Sequence, residues 1–277
     1  MSTTISINTE RVRLFYSHFT HMLVSQRHQY IIEQLEKNGT VLTNDLIREL
    51  KVSPATVRND LTHLEAKGLL RKTYGGALSI EGKAFNYTNF HYREQINLDL
   101  KDAIVDHAVK YIHDDQAIVL DASTTCLALA LRLSTFRRLT VITNGIYTLQ
   151  ALKEMPNVTV IVVGGIVTKG SGSIEGMLAE DMLGNINVDV AFFSGHGFNL
   201  QSGITDFNFY EVELKRLMLK RSKKVIGLID STKLGQNSTG TFAKKEDIEL
   251  IITDNRYNQE LIDEYREAGV KIEVVEV

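Results

Sequence analysis

The sequence predicts an α/β protein with two domains, a small N-terminal winged helix-turn-helix followed by a larger α/β domain. Two observations support this prediction. Residues 25–80 show helical periodicity and then two short strand-like runs, whereas from residue 98 onward apolar strand-like runs alternate with helical ones. Continuous apolar strands between helices are typical of a largely parallel sheet covered on both faces. We therefore assign residues 1–24 to an N-terminal tail, 25–80 to the winged helix-turn-helix, 81–97 to a linker and 98–277 to the α/β domain.

The composition indicates a globular protein without a membrane span. Hydrophobic residues make up 43% and charged residues 23% of the chain, and no uncharged apolar run approaches the ~18 residues of a span. The single cysteine, Cys126, excludes an internal disulfide framework and is interpreted as a small buried residue. We expect a cytoplasmic protein with no cofactor and no metal ion.

The N-terminal tail allows two interpretations. The apolar residues between Phe15 and Leu23 fit a short amphipathic helix, or the natural protein starts at Met22 and the upstream residues are additional. The tail lacks the apolar core of a signal peptide. His18 and His21 have a spacing that metal sites sometimes use, but two histidines in a polar tail are a weak signal.

Three helices are predicted in the winged helix-turn-helix. The first begins at about Arg27 and ends at Gly39. The second begins near Thr43, whose hydroxyl is expected to cap it, and the third has Ser53 as its N-cap and Pro54 at its first position, where a missing N–H has no cost. The apolar faces of these helices are formed by Ile31, Ile32, Leu35, Leu46, Ile47, Leu50, Val57, Leu61 and Leu64.

The polar face of the third helix and the wing after it form the candidate DNA-binding surface. In a major groove, Arg58 can pair with guanine or phosphate, and Asn59 has the amide for a bidentate contact with adenine. Residues 1–82 carry ten Lys and Arg against eight Asp and Glu, and the rest of the chain carries 21 against 26, which is compatible with DNA binding at this end. The predicted DNA-binding residues are Thr43, Ser53, Pro54, Ala55, Thr56, Arg58, Asn59, Thr62, His63, Arg71, Lys72 and Tyr74. The alternative is a helical module that binds protein, because helix-turn-helix shapes also occur without DNA.

Polar turns at the ends of predicted strands in the larger domain form the candidate effector site. Hydroxyls before a helix suit an anion such as a sugar phosphate, and a lysine adds positive charge. Each turn alone is explained by helix capping or turn chemistry. Together they lie at the carboxyl ends of successive strands, where open α/β sheets bind ligands. The residues are Asp121, Ser123, Thr124, Thr125, Asn144, Gly145, Gly164, Gly165 and Lys233.

The predicted domains resemble the two domains of DeoR-type bacterial regulators. The resemblance rests on Arg27-His28-Gln29, Val52-Ser53, Thr56-Val57-Arg58, Asp60-Leu61, Leu64-Glu65, Gly68 and Gly75-Gly76-Ala77, and then on Asp121 to Thr125, Thr143-Asn144, Gly164-Gly165, Glu175-Gly176, Gly203-Ile204-Thr205, Glu211, Lys215-Arg216 and Asp230 to Gly235. The sequence departs from the family at Asn59, where a second arginine is common, and at Tyr74, where histidine is common. The family usually begins just before the Arg-His-Gln element, which favours Met22 as the start.

The resemblance implies a recognition role for the third helix and a sensor domain similar in fold to ribose-5-phosphate isomerase and glucosamine-6-phosphate deaminase. It implies a phosphorylated sugar effector that changes the affinity for double-stranded operator DNA, and it adds Gly176 and Asp206 to the effector site. His196, Asp206 or Asn208 can then set the choice of effector. We expect a homo-oligomer, a dimer or tetramer, that represses carbohydrate-metabolism genes. The reversed sign, an activator or a corepressor, is the alternative, and the sequence does not decide between them.

The competing hypothesis is an active sugar-phosphate isomerase or deaminase fused to the DNA-binding module. Asp206, Glu211 and His196 are the candidate acid–base groups. The glycine-rich active-site segment expected of the isomerases is not evident, so we expect no enzyme. Two further patterns are interpreted structurally. The basic run from Lys215 to Lys224 is read as a solvated helix face, and the aromatic residues Phe85, Tyr87, Phe90 and Tyr92 as packing between domains or subunits.

Overall fold

A computed structural model describes residues 23–80, 89–167 and 172–277 of the chain. The tail up to Met22, with His18 and His21, lies outside the described residues, and so do Phe85 and Tyr87. The chain divides into two compact units, and the division falls between Ile80 and Glu81.

Within residues 23–80, the N-terminal unit consists of three helices and a three-stranded antiparallel sheet. In chain order, the elements are α1 (Val24–Asn38), β1 (Thr40–Leu42), α2 (Thr43–Leu50), α3 (Pro54–Ala66), β2 (Leu70–Thr73) and β3 (Gly76–Ser79). Strand β3 is central, so that Ala77 lies opposite Val41 of β1 and Lys72 of β2. The predicted wing is therefore present, and β1 adds a third strand that is too short to show a strand period in the sequence.

Local sequence explains where α3 begins, whereas the start of α2 depends on a contact with the wing turn. Ser53 accepts a hydrogen bond from the Thr56 N–H at 3.1 Å, and Pro54 is the first helical residue, which confirms the predicted start of α3. The prediction that Thr43 caps α2 is wrong, because Leu42 is the N-cap and Thr43 is already helical. The Thr43 N–H instead donates to the carbonyl oxygen of Gly75 at 2.8 Å, so the wing turn satisfies one of the free N–H groups at this helix end.

The larger unit is an α/β structure, as predicted. Its strands are β4 (Ala117–Leu120), β5 (Leu139–Thr143), β6 (Val158–Val162), β7 (Ile166–Val167), β8 (Ile174–Glu175), β9 (Val188–Phe193), β10 (Gly197–Asn199), β11 (Gly203–Asp206), β12 (Ser222–Leu228), β13 (Gly240–Ala243), β14 (Leu250–Asp254) and β15 (Ile272–Val275). Its helices are α4 (Phe90–Gln95), α5 (Leu98–Ala108), α6 (Thr124–Ala130), α7 (Ile146–Leu152), α8 (Glu180–Gly184), α9 (Phe209–Lys220) and α10 (Gln259–Glu267).

A seven-stranded parallel sheet in the order β15-β14-β12-β9-β4-β5-β6 forms the centre of this unit. Side chains alternate along each strand, so Ile118 and Leu120 enter one apolar core while Val119 enters the core on the other face. The strands of this sheet coincide with the apolar strand-like runs that the sequence shows beyond residue 98. Burial on both faces is why these strands read as continuous apolar runs.

Several short elements of the larger unit were not predicted. Strands β10, β11 and β13 form a small antiparallel sheet, and β7 pairs with β8. Helix α4 lies in the stretch predicted as linker, where Asn89 caps it and Phe90 and Tyr92 are buried. Phe90 stacks on Tyr147 with ring centroids 4.3 Å apart, so this aromatic residue packs within the larger unit. None of these elements is long enough to reveal its period in the sequence.

Candidate DNA-binding surface and effector cavity

The polar face of α3 is exposed, as the candidate DNA-binding surface requires. Val57, Leu61 and Leu64 are buried on the opposite side of the helix. Of the predicted residues, those with exposed side chains are Ser53, Pro54, Ala55, Arg58, Asn59, Thr62, His63, Arg71 and Tyr74, whereas Thr43, Thr56 and Lys72 are half-buried. This surface therefore combines a guanidinium, an amide and several hydroxyls on one helix and its adjoining wing.

Lys72 joins the wing to helix α3. Its backbone N–H donates to Glu65 at 2.7 Å, and its ammonium donates to the Thr62 hydroxyl at 2.7 Å. Tyr74, at the wing tip, is fully exposed at 111%. A cleft between α3 and the wing is lined by Thr43, Asn44, Arg58, Leu61, Lys72, Thr73, Tyr74, Gly75 and Gly76. Arg58 and the wing tip thus border the same concave surface.

A buried charge cluster behind the surface joins α3 to α1. Arg27 donates to both carboxylate oxygens of Asp60, at 2.7 and 3.0 Å, and His28 lies 3.2 Å from the same carboxylate. His28 also stacks on His63 with ring centroids 5.1 Å apart. Burial lowers the pKa of His28 below its ordinary value, although Asp60 opposes the shift. The sequence pattern contains Arg27, His28 and Asp60, but only the structure shows that they position α3.

The larger unit contains a cavity of about 340 Å³ at the carboxyl edge of its parallel sheet. It is lined by Arg93, Ile96, Asn97, Lys101, Ser123, Thr124, Ser194, Gly195, His196, Asp206, Phe207, Asp230, Thr232, Lys233, Gln236 and Asn237. Loops after β4, β9, β11 and β12 contribute to this wall, together with α4 and the start of α5. We call it the effector cavity below. Its volume is within the range of small-molecule sites.

Three basic side chains line the effector cavity, those of Lys233, Lys101 and Arg93. Lys233 lies 3.1 Å from Asp230 and donates to the Ser194 hydroxyl at 3.3 Å. Burial would raise the pKa of Asp230, but Lys233 and a hydrogen bond from Thr232 outweigh it and hold the pKa below its ordinary value. Lys101 is only 5% exposed and donates to the carbonyl oxygens of Arg93 and, at 2.8 Å, Ile96. Burial, reinforced by the nearby Lys233, lowers the pKa of Lys101 to about 7.

A second buried charge cluster lies beneath the cavity and is centred on Lys215. The Lys215 ammonium is 2.8 Å from Asp206, 3.0 Å from Asp121 and 3.3 Å from Glu211. Burial disfavours its charge, but the three carboxylates outweigh burial and raise the pKa of Lys215 well above its ordinary value. The interpretation of Lys215 as part of a solvated helix face is therefore wrong, since this residue is 1% exposed, while Lys220, Arg221, Lys223 and Lys224 are exposed.

Four predicted effector residues, Ser123, Thr124, Asp206 and Lys233, line the cavity together. Asp121 lies below it, where its carboxylate accepts hydrogen bonds from the N–H groups of Ser123 at 2.9 Å and Ser194 at 3.1 Å. Asp121 thus shapes two of the cavity loops without lining the cavity itself. Ser123 also caps α6 by accepting from the Cys126 N–H at 3.1 Å, so the capping explanation and the cavity position hold for the same residue.

The other predicted effector residues do not line this cavity. Thr125 and Asn144 are buried, and the Asn144 amide donates to the carbonyl oxygen of Ile174 at 3.1 Å. Gly145 forms an isolated antiparallel β-bridge with Ser173. Gly164, Gly165 and Gly176 flank the β7–β8 hairpin, where a Cβ on Gly165 would lie 2.3 Å from the carbonyl oxygen of Glu175 and Gly176 has a φ of +92°. Gly165 and Gly176 therefore fit the backbone of the hairpin, whereas a Cβ on Gly164 would meet nothing within 4 Å.

Sequence reasoning missed the cavity residues of α4 and α5, Arg93, Asn97 and Lys101. They lie in or beside the stretch predicted as linker, and no motif marks them as binding residues. Of the residues proposed to set effector choice, His196 and Asp206 line the cavity. Asn208 instead caps α9 by accepting from the N–H groups of Tyr210 and Glu211. Burial lowers the pKa of His196, which leaves its imidazole neutral near pH 7.

Two of the three candidate acid–base groups of the enzyme hypothesis are paired with Lys215. Asp206 and Glu211 both pair with this ammonium, and Glu211 does not line the cavity. Burial raises the pKa of Glu211, whereas Lys215 outweighs burial at Asp206 and lowers its pKa. In the part of the chain that the structure describes, no group of three His, Cys, Asp or Glu side chains could hold a metal ion. None of the described helices is long and apolar enough to cross a membrane.

Comparison with known proteins identifies both domains. A profile for the DeoR-like helix-turn-helix domain matches residues 27–83, and one for the DeoR C terminal sensor domain matches residues 96–255. A solved ribose 5-phosphate isomerase from Methanocaldococcus jannaschii has a TM-score of 0.37 and 16% identity, covering 50% of this chain and 55% of its own.

Curated relatives match along almost their whole length. The HTH-type transcriptional regulator GolR of Listeria innocua is 43% identical over 92% of this chain and 100% of its own length. The glycerol-3-phosphate regulon repressor of Escherichia coli is 27% identical, covering 84% of this chain and 92% of the relative. The L-fucose operon activator of Haemophilus influenzae is 30% identical, covering 83% and 92%. The chain therefore belongs to the DeoR family and is a DNA-binding transcriptional regulator with a C-terminal sensor domain, and not an enzyme.

Proposed function

We propose that this regulator represses carbohydrate-metabolism genes and that a phosphorylated sugar in the effector cavity changes its affinity for operator DNA. The observation that carries the proposal is the clustering of Lys233, Lys101 and Arg93 with the hydroxyls of Ser123 and Thr124 around one cavity. Cations and hydroxyls are the groups that bind phosphate in proteins. Neutral polar side chains in the same wall, such as His196 and Asn237, suit sugar hydroxyl groups.

The effector acts through a difference in affinity between two conformations. A ligand shifts an equilibrium only as far as it binds one conformation better than the other. A sugar phosphate that prefers the conformation with low DNA affinity would release the operator. One relative is named as a repressor of a glycerol-3-phosphate regulon and another as an activator of an L-fucose operon, so the family contains both signs of regulation. For this chain we propose repression.

The operator is bound by a homo-oligomer, a dimer or a tetramer. A single winged helix buries too little surface for tight specific binding, whereas two half-sites add their binding energies. Arg58 and Asn59 contact base edges from α3, and Arg71, Lys72 and Tyr74 contact the DNA backbone or minor groove from the wing. Ser53 and Thr56 position a phosphate at the start of α3.

A thermal-shift screen of matched pairs, each sugar phosphate beside the same sugar without phosphate, tests the effector. Ligands that bind only the native state raise its apparent stability, and we expect this from the phosphorylated member of a pair alone. Lys233→Ala should reduce the shift, whereas Lys153→Ala, at an exposed position of the same unit, should leave it unchanged. Equal shifts from both members of every pair, or none, would contradict the effector class.

Operator binding is tested with DNA selected from a random pool by the wild-type protein. Arg58→Ala should weaken binding by tenfold or more, since a good bidentate base contact contributes about 1–3 kcal/mol. Arg138→Ala is the matched control, because this arginine is exposed in the larger unit and pairs only with Asp115 in the described residues. Unchanged affinity of the Arg58 variant would remove Arg58 from the recognition surface.

A further inference from the structure

Arg93 occupies an unusual position in the effector cavity. Its guanidinium lies 5.9 Å from the ring centroids of both Phe90 and Phe207, within cation–π distance of each. Its Nε is buried and has no hydrogen-bond partner among the residues that the structure describes. The two rings therefore hold a planar cation at the cavity wall, and its Nε–H is left without a partner there.

The carbonyl oxygen of Arg93 is held by two other residues that line the effector cavity. Its carbonyl oxygen accepts hydrogen bonds from the Lys101 ammonium and, at 3.4 Å, from the Thr124 hydroxyl. Lys101 also binds the carbonyl oxygen of Ile96 just beyond the end of α4. Helix α4 is thus joined to the cavity twice, by the Arg93 side chain and by carbonyls that Lys101 and Thr124 hold.

We propose that Arg93 binds the anionic group of the effector and that occupancy of the cavity thereby fixes the position of α4. The inference rests on the proposed function, because it requires an anionic ligand in this cavity. Arginine matches a phosphate through parallel N–H donors, which a lysine cannot reproduce. Helix α4 is the first helix that the structure describes after Ile80, the last residue of the DNA-binding unit. Among the described helices of the sensor, α4 is therefore the one nearest in sequence to the DNA-binding unit, and its position is the one that the ligand would fix.

Binding of inorganic phosphate to the full chain tests the first half of the proposal, with chloride at matched ionic strength as reference. Arg93→Gln should lower the affinity for phosphate by tenfold or more. Arg93→Met keeps an unbranched apolar stem between the two rings and should lose as much affinity for phosphate. This variant controls for a loss of affinity that is caused by disturbed packing. Arg138→Gln should bind as the wild type does. Wild-type affinity in both Arg93 variants would overturn the proposal.

Hydrogen exchange in phosphate tests the second half. At phosphate concentrations that saturate each protein, wild-type amides should exchange more slowly in residues 90–97 and in residues 123–127. In Arg93→Gln we expect the slowing at residues 123–127 alone. Equal slowing at residues 90–97 in both proteins would refute the link to α4 while leaving the proposed function intact. The proposed function itself would fail if the wild-type protein bound neither phosphate nor any phosphorylated sugar.

Discussion

At the scale of single residues, Asp60 stabilises the N-terminal unit from a buried position behind the DNA-binding surface. Its carboxylate accepts two hydrogen bonds from Arg27 and lies beside His28, and all three side chains are at most 10% exposed. A buried ion pair adds little compared with apolar packing, but removing one partner leaves the other charge buried and uncompensated. Asp60 therefore holds the recognition helix against α1 although it faces away from the DNA-binding surface.

Asp60→Ala should destabilise the N-terminal unit by about 3 kcal/mol, because the Arg27 charge remains buried without its partner. For a domain of this size, that corresponds to a fall of about 10 °C or more in its melting temperature by calorimetry of the full chain. Asp45→Ala is the matched control, since Asp45 pairs with Arg48 on the surface and such pairs contribute about 1 kcal/mol or less. Equal effects of the two substitutions would contradict the structural role of Asp60.

Lys101 gives the protein a pH dependence whose sign can be derived. Its pKa is about 7 in the folded protein and 10.5 ordinarily, so between these values the unfolded chain binds a proton that the folded chain lacks. Stability then rises with pH, by up to about 1.4 kcal/mol per unit. The depressed pKa values of His28 and His196 raise stability only up to about pH 6.5, where their unfolded forms lose the proton. Burial raises the pKa of Cys126, which acts in the opposite direction at higher pH.

The unfolding free energy of the wild type should therefore increase between about pH 7 and pH 8.5, whereas Lys101→Met should remove most of the slope. Urea denaturation at several pH values measures it. Lys153→Met, at an exposed lysine, should keep the wild-type slope. A Lys101→Met protein with an unaltered slope would assign the pH dependence to other groups.

At the scale of elements, the wing depends on one glycine. A Cβ built on Gly76 would lie 1.9 Å from the carbonyl oxygen of Val41, inside the β1–β3 pairing, whereas a Cβ on the neighbouring Gly75 meets nothing within 4 Å. Only Gly76 is therefore required by the close approach of two backbones. The adjacent pair in the sequence does not reveal which of the two has this role.

Gly76→Ala should separate β1 from β3 and destabilise the N-terminal unit by about 1–3 kcal/mol or more, with loss of operator binding. Gly75→Ala should leave the melting temperature within a few degrees of the wild type. Calorimetry and gel-shift titration of both variants make the comparison. Equal tolerance of the two substitutions would mean that the strands do not approach as closely as described.

Long or capped elements were predictable from the sequence, and short ones were not. Ser53 and Pro54 mark the start of α3 because a hydroxyl cap and a proline act locally. Strands such as β4 were recognisable because burial on both faces makes them apolar throughout. Strands β7 and β8 have two residues each and are defined by their pairing with one another, which leaves no local period. The sequence predicts Thr43 as the cap of α2 from its residue type alone. The carbonyl oxygen that its N–H binds belongs to Gly75, which is distant in sequence and leaves no local signal.

At the scale of the whole molecule, the effector cavity was predictable only in part. Ser123, Thr124 and Lys233 could be found because each follows a strand and the carboxyl ends of parallel strands meet at one edge. Arg93 and Lys101 reach the same cavity from helices, and their place depends on how α4 and α5 pack. Gly164 and Gly165 follow strand β6, which is an edge strand, and their sequence position alone did not separate them from the cavity.

If the regulator binds DNA as an oligomer, its operator should contain two half-sites on one face of the duplex. Inserting about five base pairs between them should reduce the affinity to that of a single half-site, because the second moves to the opposite face. Inserting about ten base pairs should restore part of the affinity. Gel-shift titration at fixed salt measures both, since phosphate contacts make affinity salt-dependent. Indifference to the spacing would indicate that each half-site is bound independently.

The buried thiol of Cys126 makes the protein convenient for spectroscopy. It is the only cysteine of the chain, is 0% exposed, and lies against the carbonyl oxygen of Phe192 at 3.3 Å. Burial also keeps it protonated, and a protonated thiol reacts poorly with maleimide dyes. A cysteine introduced at an exposed site, such as the Tyr74 position on the wing, can therefore be labelled selectively in the otherwise native protein. Pairs of such labels would let single-molecule fluorescence follow the two units while phosphate is added.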